Sequence, residues 1–190
     1  MIYGEASTTA TVDYINIAGN ALKQIGYQNK FRFITELSEQ SPEIKNSVIN
    51  TDINANDQGI VFGYATDETE EFMPLPIVLA HKLMYEFNNY RKTNKNYFPD
   101  SKSQVSVAYE GDKINYIHTI LMSVSHCSTV NHSQIVDDIT KNVINKVLAD
   151  YKQYVNEKLK IIINPSAAFT IWGSFSDSGC VGRKIVVDTY

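Results

Sequence analysis

Residues 56–69 read Asn56-Asp57-Gln58-Gly59-Ile60-Val61-Phe62-Gly63-Tyr64-Ala65-Thr66-Asp67-Glu68-Thr69, and Phe72-Met73-Pro74 follows shortly after. Acidic and amide side chains stand on both sides of a short apolar run that contains two glycines. This pattern predicts a short buried strand from Gly59 to Ala65 with a polar site at its end. An acidic turn then leads into a helix that Pro74 and Pro76 begin.

The residues before this segment predict a helix, a strand and a loop. Asp13 is a good N-cap for a helix with apolar residues along one face, and Gly26 is a typical residue for its end. Phe31 to Leu37 indicates a strand. The polar stretch from Glu39 to Asn56 predicts a mobile loop, and functional loops are often drawn from such segments.

The residues after the segment complete the prediction of the fold. The helix that starts at Pro74 is followed by apolar residues on both sides of Glu110-Gly111-Asp112, which indicates a hairpin. A long amphipathic helix is predicted from about His132 to Val155. Leu159 to Ile163 and Lys184 to Val187 read as apolar strands. This order of elements predicts an α+β fold in which mixed sheets are covered on one face by helices.

Composition and charge exclude several classes of function. The chain has 190 residues and a formal net charge of -4, so we expect no general binding to nucleic acid or to an anionic membrane surface. No apolar run approaches the ~20 residues of a membrane span, and the first residues do not resemble a signal peptide. The two cysteines, Cys127 and Cys180, fit neither a zinc site nor a redox pair. We therefore expect a cytoplasmic protein.

Cationic side chains occur at two places where they could bind an anion. Arg183 and Lys184 directly follow Gly182, so two cations and bare backbone amides could reach one phosphate. Asp177, in the same loop, could hold an ammonium group or an ordered water. Lys102 follows a turn at the start of a predicted strand. A solvated turn and an ordinary surface lysine are the alternative interpretations of these two patterns.

The remaining polar and aromatic candidates carry weaker signals. Phe169 ends the segment Asn164 to Phe169 beside a turn, where it could stack on a planar base or serve as an aromatic at the core edge. Glu5, Gln40 and Asp57 lie in or near loops, where each could equally be a cap or a solvated side chain. The four histidines form no paired motif, so no metal site is assigned to them: His81, His118, His126 and His132.

Taken in order, these clusters resemble the S-adenosylmethionine synthetases (methionine adenosyltransferases). The matching segments extend over nearly all of the chain: Gly4-Glu5, Thr8-Thr9-Ala10, Val12-Asp13, Ile25-Gly26-Tyr27, Gln40-Ser41-Pro42, Asp57 to Thr69, Met73-Pro74, Lys102-Ser103-Gln104-Val105, Ile163-Asn164-Pro165 and Gly182 to Tyr190. Their joint order is far more specific than any one motif. The resemblance implies the α+β fold of that family.

The resemblance also implies a reaction and the residues that perform it. The family makes S-adenosylmethionine from ATP and methionine, whose sulfur attacks the ribose 5′ carbon and expels tripolyphosphate. The positions that match ATP-binding residues of the family are Asp100, Ser101, Lys102, Phe169, Asp177, Arg183 and Lys184. Lys102, Arg183 and Lys184 would hold the phosphates as catalytic residues, and Phe169 would pack on the adenine. The positions that match methionine-binding residues are Glu5, Gln40, Asp57 and Asp177.

The sequence departs from the family pattern in ways that bear on cofactors. The family uses Mg²⁺ and K⁺, but its His-Pro-Asp-Lys segment, its potassium-binding glutamate and a second magnesium aspartate have no counterpart in this sequence. The main ligands of both ions are therefore absent from this chain. The usual Thr-Gly-Arg-Phe reads Ser166 to Phe169, which removes an arginine beside the adenine.

The family layout implies three parts and an oligomer. Residues 1–50 would be the remnant of the N-terminal domain, 51–170 the middle domain and 171–190 the first strand of the C-terminal domain. Active sites of the family form between subunits, so a homodimer or a hetero-oligomer with a full-length homologue is implied. We expect adenosyl transfer that is weak or depends on a partner. The alternative is a catalytically silent regulatory or binding subunit of a full-length synthetase.

Overall fold

The computed structural model describes residues 1–48, 55, 58–166 and 168–182. The chain forms two compact units, residues 1–62 and 63–190. Each unit contains helices and its own sheet, and the sheet of the second unit is mixed. The predicted α+β class with mixed sheets is therefore confirmed.

The first unit is built on two parallel strands, β1 (Ile2–Glu5) and β2 (Thr35–Ser38). Helix α1 (Tyr14–Ile25) lies between them in the chain, and helix α2 (Pro42–Val48) follows β2. None of the residues of α1 is buried, and Ile17 on its apolar side is 58% exposed. Helical periodicity thus predicts α1 correctly, although its apolar side is not covered within the described residues.

The caps of α1 explain why the helix has these ends. The Asp13 carboxylate accepts a hydrogen bond from the Asn16 N–H at 3.0 Å, and this satisfies a donor that the first turn leaves free. Gly26 has a φ of 116°, a left-handed conformation in which its N–H donates to the Leu22 carbonyl. Both predicted ends of the helix are confirmed.

Helix α2 corrects the loop predicted from Glu39 to Asn56. Pro42 at the first helical position has the φ that a helix needs. The carboxylate of Glu43 in the first turn interacts favourably with the positive end of the helix dipole. Polarity alone therefore gave the wrong prediction for residues 42–48. Residues 49–54 and 56 of this stretch lie outside the described residues.

The second unit packs helices against a three-stranded sheet. Its long hairpin joins two antiparallel strands, and a third strand runs parallel to the second of them, which gives the order β3-β4-β5. The turn of the hairpin contains Gly111 with a φ of 60°, as the predicted hairpin requires. The elements are α3 (Leu75–Thr93), β3 (Tyr97–Glu110), β4 (Lys113–His126), α4 (His132–Ile139), α5 (Asn145–Leu148) and β5 (Lys160–Ile163).

A π-helical segment, Thr140–Ile144, joins α4 to α5, so the chain is helical from 132 to 148. The predicted helix from His132 to Val155 is confirmed in position but ends earlier. Strand β5 confirms the prediction for Leu159 to Ile163. The strand predicted from Lys184 to Val187 lies outside the described residues.

The core of the second unit lies between α3, the α4–α5 segment and one face of the sheet. Its fully buried members come from all three: Leu75, Leu79, Leu83, Ile117, Ile120, Met122, Val124, Ile135, Ile139, Val143 and Ile144. The buried Tyr97 hydroxyl donates to Asp138 at 2.9 Å and ties β3 to α4. Burial and this contact raise the pKa of Tyr97. Among the described helices, none is long and apolar enough to cross a bilayer.

The segment from Gly59 to Ala65 does not form the predicted buried strand. Ile60, Val61 and Phe62 are 85%, 94% and 89% exposed, and no described strand pairs with them. An extended apolar run becomes a strand only when a neighbouring strand accepts its N–H and C=O groups. The apolar composition of this run was therefore not sufficient evidence for a strand.

The acidic turn after this run has a structural role. The Glu68 carboxylate accepts a hydrogen bond from the Leu75 N–H at 2.9 Å, at the start of α3, and another from the Tyr109 hydroxyl at 2.8 Å. A carboxylate at this position accepts a hydrogen bond from an otherwise unpaired N–H of the helix and interacts favourably with the positive end of the helix dipole. Burial and Glu68 raise the pKa of Tyr109. Glu68 therefore fastens the start of α3 to the hairpin.

Candidate functional site

Two adjoining cavities lie beside the three-stranded sheet, near the point where β5 ends, and Lys102 and Phe169 line both of them. One, of about 210 Å³, is lined by Lys102, Ser123, Asn164, Pro165, Ser166, Ala168 and Phe169. The other, of about 330 Å³, is lined by Asp100, Lys102, Phe169, Gly173, Ser176, Asp177, Ser178, Gly179 and Cys180. Four residues predicted separately from the sequence therefore surround one space: Asp100, Lys102, Phe169 and Asp177.

The register of the sheet explains how these distant residues meet. Lys102 on β3 pairs with Ser123 on β4, and the preceding β4 residue, Met122, pairs with Ile163 on β5. The chain leaves β5 at Ile163, so the turn that begins at Asn164 starts beside Ser123. Strand β4 thus brings the lysine and the turn to the same place on the sheet.

Lys102 points away from the helices. The neighbouring Ser103 hydroxyl donates to the Ala80 carbonyl of α3 at 2.9 Å, and the Ser101 hydroxyl lies 3.6 Å from the Met84 sulfur. Because successive side chains of a strand point to opposite faces, Lys102 projects from the other face, where it is exposed and lines the cavities. The ammonium group can therefore reach a ligand without leaving the strand conformation.

Asp100 holds the loop that borders the larger cavity. Its carboxylate accepts a hydrogen bond from the Gly173 N–H at 3.1 Å, and its carbonyl accepts one from the Ser125 hydroxyl at 2.6 Å. Gly173 has a φ of 65° and begins a 3-10 turn that ends at Phe175. Asp100 thereby connects the end of the sheet to the loop that contains Asp177.

Asn164 fixes the turn after β5. Its side-chain oxygen accepts from the Val124 N–H at 2.7 Å and its amide donates to the Val124 carbonyl at 3.0 Å, while its own N–H donates to Met122 at 2.9 Å. The side chain thus continues the strand pairing for one more residue. Asn164 has a φ of 44°, a left-handed conformation that asparagine tolerates better than most residues.

Replacement of Asn164 should destabilise the second unit. Asn164→Ala leaves the buried Val124 N–H and carbonyl without partners and places an ordinary side chain at a positive φ. We therefore expect the free energy of unfolding to fall by about 2 kcal/mol. Asn164→Gly is the matched control, because it loses the same hydrogen bonds without the strain. In urea unfolding, the free energy of unfolding should be highest for the unaltered chain, lower for Asn164→Gly and lowest for Asn164→Ala. Equal stability of all three would contradict the structural role.

Phe169 is held at the edge of both cavities by His126. The Phe169 N–H donates to His126 Nε2 at 3.1 Å, and the Phe169 carbonyl accepts from the His126 N–H at 2.9 Å. Sequence analysis missed both His126 and Asn164 as residues of this site. Their contacts cross about 40 positions of the chain, so the asparagine–proline turn was the only local signal.

The other predicted site residues have different locations. Glu5 ends β1 and Gln40 follows β2, and because these strands are parallel, both residues lie at the same edge of the first unit's sheet. The Ser101 hydroxyl lies on the helix side of the sheet, away from the cavities. Asp57, Arg183 and Lys184 fall outside the described residues.

A larger cleft of about 580 Å³ offers a poorer site for a phosphate. Acidic side chains of residues 67–71 and Asp150 line it, and its cation, Lys82, is bound at 2.9 Å by Glu71 and at 2.7 Å by the Tyr151 hydroxyl. Tyr151 and Glu71 raise the pKa of Lys82. A negative lining with an already paired lysine disfavours an anionic ligand.

A metal ion held by the protein alone would need several ligating side chains in one place. No three histidine, cysteine, aspartate or glutamate side chains converge in residues 1–48, 55, 58–166 and 168–182. The described part of the chain therefore does not fit such an ion.

A cation and an aromatic ring that share one cavity define a class of site that suits a phosphorylated ligand with a planar base. Comparison with known proteins supplies the family. Residues 52–169 match the central domain of S-adenosylmethionine synthetase. The S-adenosylmethionine synthase of Helicobacter pylori (strain Shi470) is 40% identical over 202 residues, which cover 100% of this chain and 52% of that protein.

The S-adenosylmethionine synthase of Thermus thermophilus is 38% identical over 213 residues, covering 100% of this chain and 53% of that protein. The chain belongs to the S-adenosylmethionine synthetase family. It spans about half the length of the curated relatives it matches.

Proposed function

We propose that this chain binds ATP in the two cavities, with the phosphates at Lys102 and the adenine on Phe169. The observation that carries the proposal is that these two residues line both cavities. Arg183 and Lys184 would join Lys102 around the phosphates, where arginine forks onto two oxygens and lysine acts as a point charge. Asp100, which lines the larger cavity, would lie alongside the nucleotide, whereas Ser101, also predicted there, has its hydroxyl on the helix side of the sheet.

The proposed reaction is adenosyl transfer from ATP to methionine. The lone pair of the methionine sulfur forms a bond to the ribose 5′ carbon, the bond from that carbon to oxygen breaks, and tripolyphosphate leaves with the electron pair. The product is a sulfonium, S-adenosylmethionine. Glu5, Gln40, Asp57 and Asp177 would orient the methionine so that its sulfur lies in line with the leaving oxygen.

The chemical task of the cations is to stabilise charge that grows on the leaving group. Tripolyphosphate becomes more negative as the carbon–oxygen bond breaks, so fixed cations bind the transition state more strongly than ATP itself. Lys102, Arg183 and Lys184 are the residues proposed for this role. Mg²⁺ and K⁺ remain predictions from the family resemblance.

The complete site is proposed to form in an oligomer. Residues 1–50, 51–170 and 171–190 would correspond to parts of the three domains of the family, and the chain matches only about half of each relative. We therefore propose a homodimer or a hetero-oligomer with a full-length homologue, in the cytoplasm. Activity of the chain would be weak or would depend on the segments that a partner supplies.

Comparison of ATP with inorganic tripolyphosphate tests the proposed binding mode. Phe169→Leu should weaken ATP binding about tenfold, because a base–aromatic stack is worth about 1–3 kcal/mol, and should leave tripolyphosphate binding unchanged. Titration calorimetry measures both ligands, and fluorescence of Trp172, the single tryptophan, gives an independent signal from the residue next to Gly173.

Phe72→Leu is the matched control, because Phe72 is an exposed aromatic that lines neither cavity. It should not change the affinity for either ligand. If the unaltered chain binds neither ATP nor tripolyphosphate, the proposed nucleotide site is wrong. If Phe169→Leu weakens both ligands equally, Phe169 does not contact the base.

A further inference from the structure

His126 has two hydrogen-bonded ring nitrogens, and both partners have fixed chemical roles. Nδ1 lies 2.9 Å from the Cys127 carbonyl, and Nε2 lies 3.1 Å from the Phe169 main-chain nitrogen. The side chain is at the end of β4, and the residue is only 3% exposed. Water therefore has little access to the ring nitrogens and cannot easily replace either hydrogen-bond partner.

These two contacts are compatible with a single form of the imidazole. A carbonyl oxygen can only accept, so Nδ1 must carry the hydrogen. A main-chain N–H can only donate, so Nε2 must present its lone pair. The ring is thus neutral, with its hydrogen on Nδ1; the other tautomer and the imidazolium would each turn an N–H toward the Phe169 N–H.

The same histidine also holds Phe169 through its main chain, because the His126 N–H donates to the Phe169 carbonyl at 2.9 Å. Both polar main-chain groups of Phe169 are therefore bound to one residue. At the other end of the turn, Asn164 binds both main-chain groups of Val124, two residues before His126 on β4. The segment that carries Phe169 is fastened to β4 at both ends.

We propose that His126 is a positioning residue that, as the neutral Nδ1–H tautomer, holds Phe169 at the cavity it shares with Lys102. Its effect on ATP binding rests on the proposed function, whereas the tautomer and the contact with Phe169 do not. Without the Nε2 acceptor, the Phe169 N–H loses its partner and only the bond to the Phe169 carbonyl remains, so the aromatic ring is held less firmly beside the cavity. A site for a planar base needs that ring in one place before the ligand arrives.

Two substitutions distinguish the contact made by Nε2 from the contact made by Nδ1. His126→Gln can place an amide oxygen near the position of Nε2 and so still accept from the Phe169 N–H. His126→Asn can place an amide nitrogen near the position of Nδ1, which keeps the contact with Cys127 but loses that with Phe169. Both replacements are polar and remove the imidazole, so a general effect of losing the ring should be similar in the two.

Binding of ATP and of inorganic tripolyphosphate distinguishes positioning from a general structural role. We expect His126→Asn to weaken ATP binding about tenfold, as expected for loss of a base–aromatic stack, and to leave tripolyphosphate binding unchanged. His126→Gln should restore most of the ATP affinity. Equal ATP affinity for the Asn variant and the unaltered chain would overturn the role in binding, as would equal losses for ATP and tripolyphosphate.

Nuclear magnetic resonance of the unaltered chain tests the contact without any ligand. Long-range proton–nitrogen correlations should show His126 with its hydrogen on Nδ1, and the Phe169 amide should be protected from exchange. A hydrogen on Nε2, or an imidazolium, would overturn the proposal even if the variants fail to fold. If ATP does not bind but the Nδ1–H tautomer is found, the proposed function fails while the positioning of Phe169 stands.

Discussion

Mixed with ATP, methionine, Mg²⁺ and K⁺, the chain alone is expected to form S-adenosylmethionine slowly. Its rate should be less than about a thousandth of the rate of the same chain mixed with a partner protein that supplies the segments this chain does not match. A single group that stabilises a developing negative charge is worth about 3–4 kcal/mol, roughly a hundredfold to a thousandfold in rate. The chain matches about half of each relative, so more than one such group would come from a partner.

The partner for this experiment is a full-length S-adenosylmethionine synthase whose lysine at the position of Lys102 is replaced by methionine. If Lys102 has the proposed role, that replacement should disable the partner's own site, and it leaves the segments that this chain does not match. Product should therefore appear only when both proteins are present. Mass spectrometry of S-adenosylmethionine over time gives the rate.

The matched control uses Lys102→Met in this chain with the same disabled partner, and no product should form. Efficient synthesis by the chain alone would refute dependence on a partner. Absence of product in every mixture, together with co-purification of the two proteins, would favour the catalytically silent regulatory subunit.

Loss of the Lys102 ammonium group should have the second large effect. Lys102→Met is expected to weaken binding of both ATP and tripolyphosphate by about tenfold to a hundredfold, because a hydrogen bond to a charged group contributes about 1.5–3 kcal/mol. The side chain projects from the face of the sheet opposite α3, so the substitution leaves the buried core intact. Calorimetric titration measures the effect on each ligand.

Lys113→Met is the matched control for charge. Lys113 pairs with Glu110 beside the hairpin turn, about 25 Å along the strand from Lys102, and is also exposed. It removes the same net charge and should not change either affinity. Equal weakening by both substitutions would show a general effect of charge, and Lys102 would then not be the phosphate ligand.

Local signals were sufficient for much of the fold. Helix α1 follows from its cap Asp13 and its end at Gly26, and the hairpin follows from Gly111, whose φ of 60° suits the turn. In each case the deciding interactions lie within a few residues, so the sequence carries them directly. The apolar run Gly59 to Ala65 failed as a strand because pairing with a neighbour, which the sequence does not display, decides that structure.

The candidate site was predictable residue by residue but not as an arrangement. Lys102 and Phe169 were each identified with a possible ligand, yet only the register of β4 with both neighbouring strands brings them together. His126 and Asn164 act through main-chain groups of distant residues. Histidine and asparagine have many roles in proteins, so their identities alone do not indicate these contacts.

A crystal structure of the chain with a non-hydrolysable ATP analogue is the most direct measurement of the proposed site. We expect the Lys102 ammonium group, Arg183 and Lys184 to contact the triphosphate, and the adenine to lie on Phe169. A structure in which Lys102 is remote from Arg183 and Lys184, both within one protomer and across every oligomer contact, would contradict a shared phosphate site.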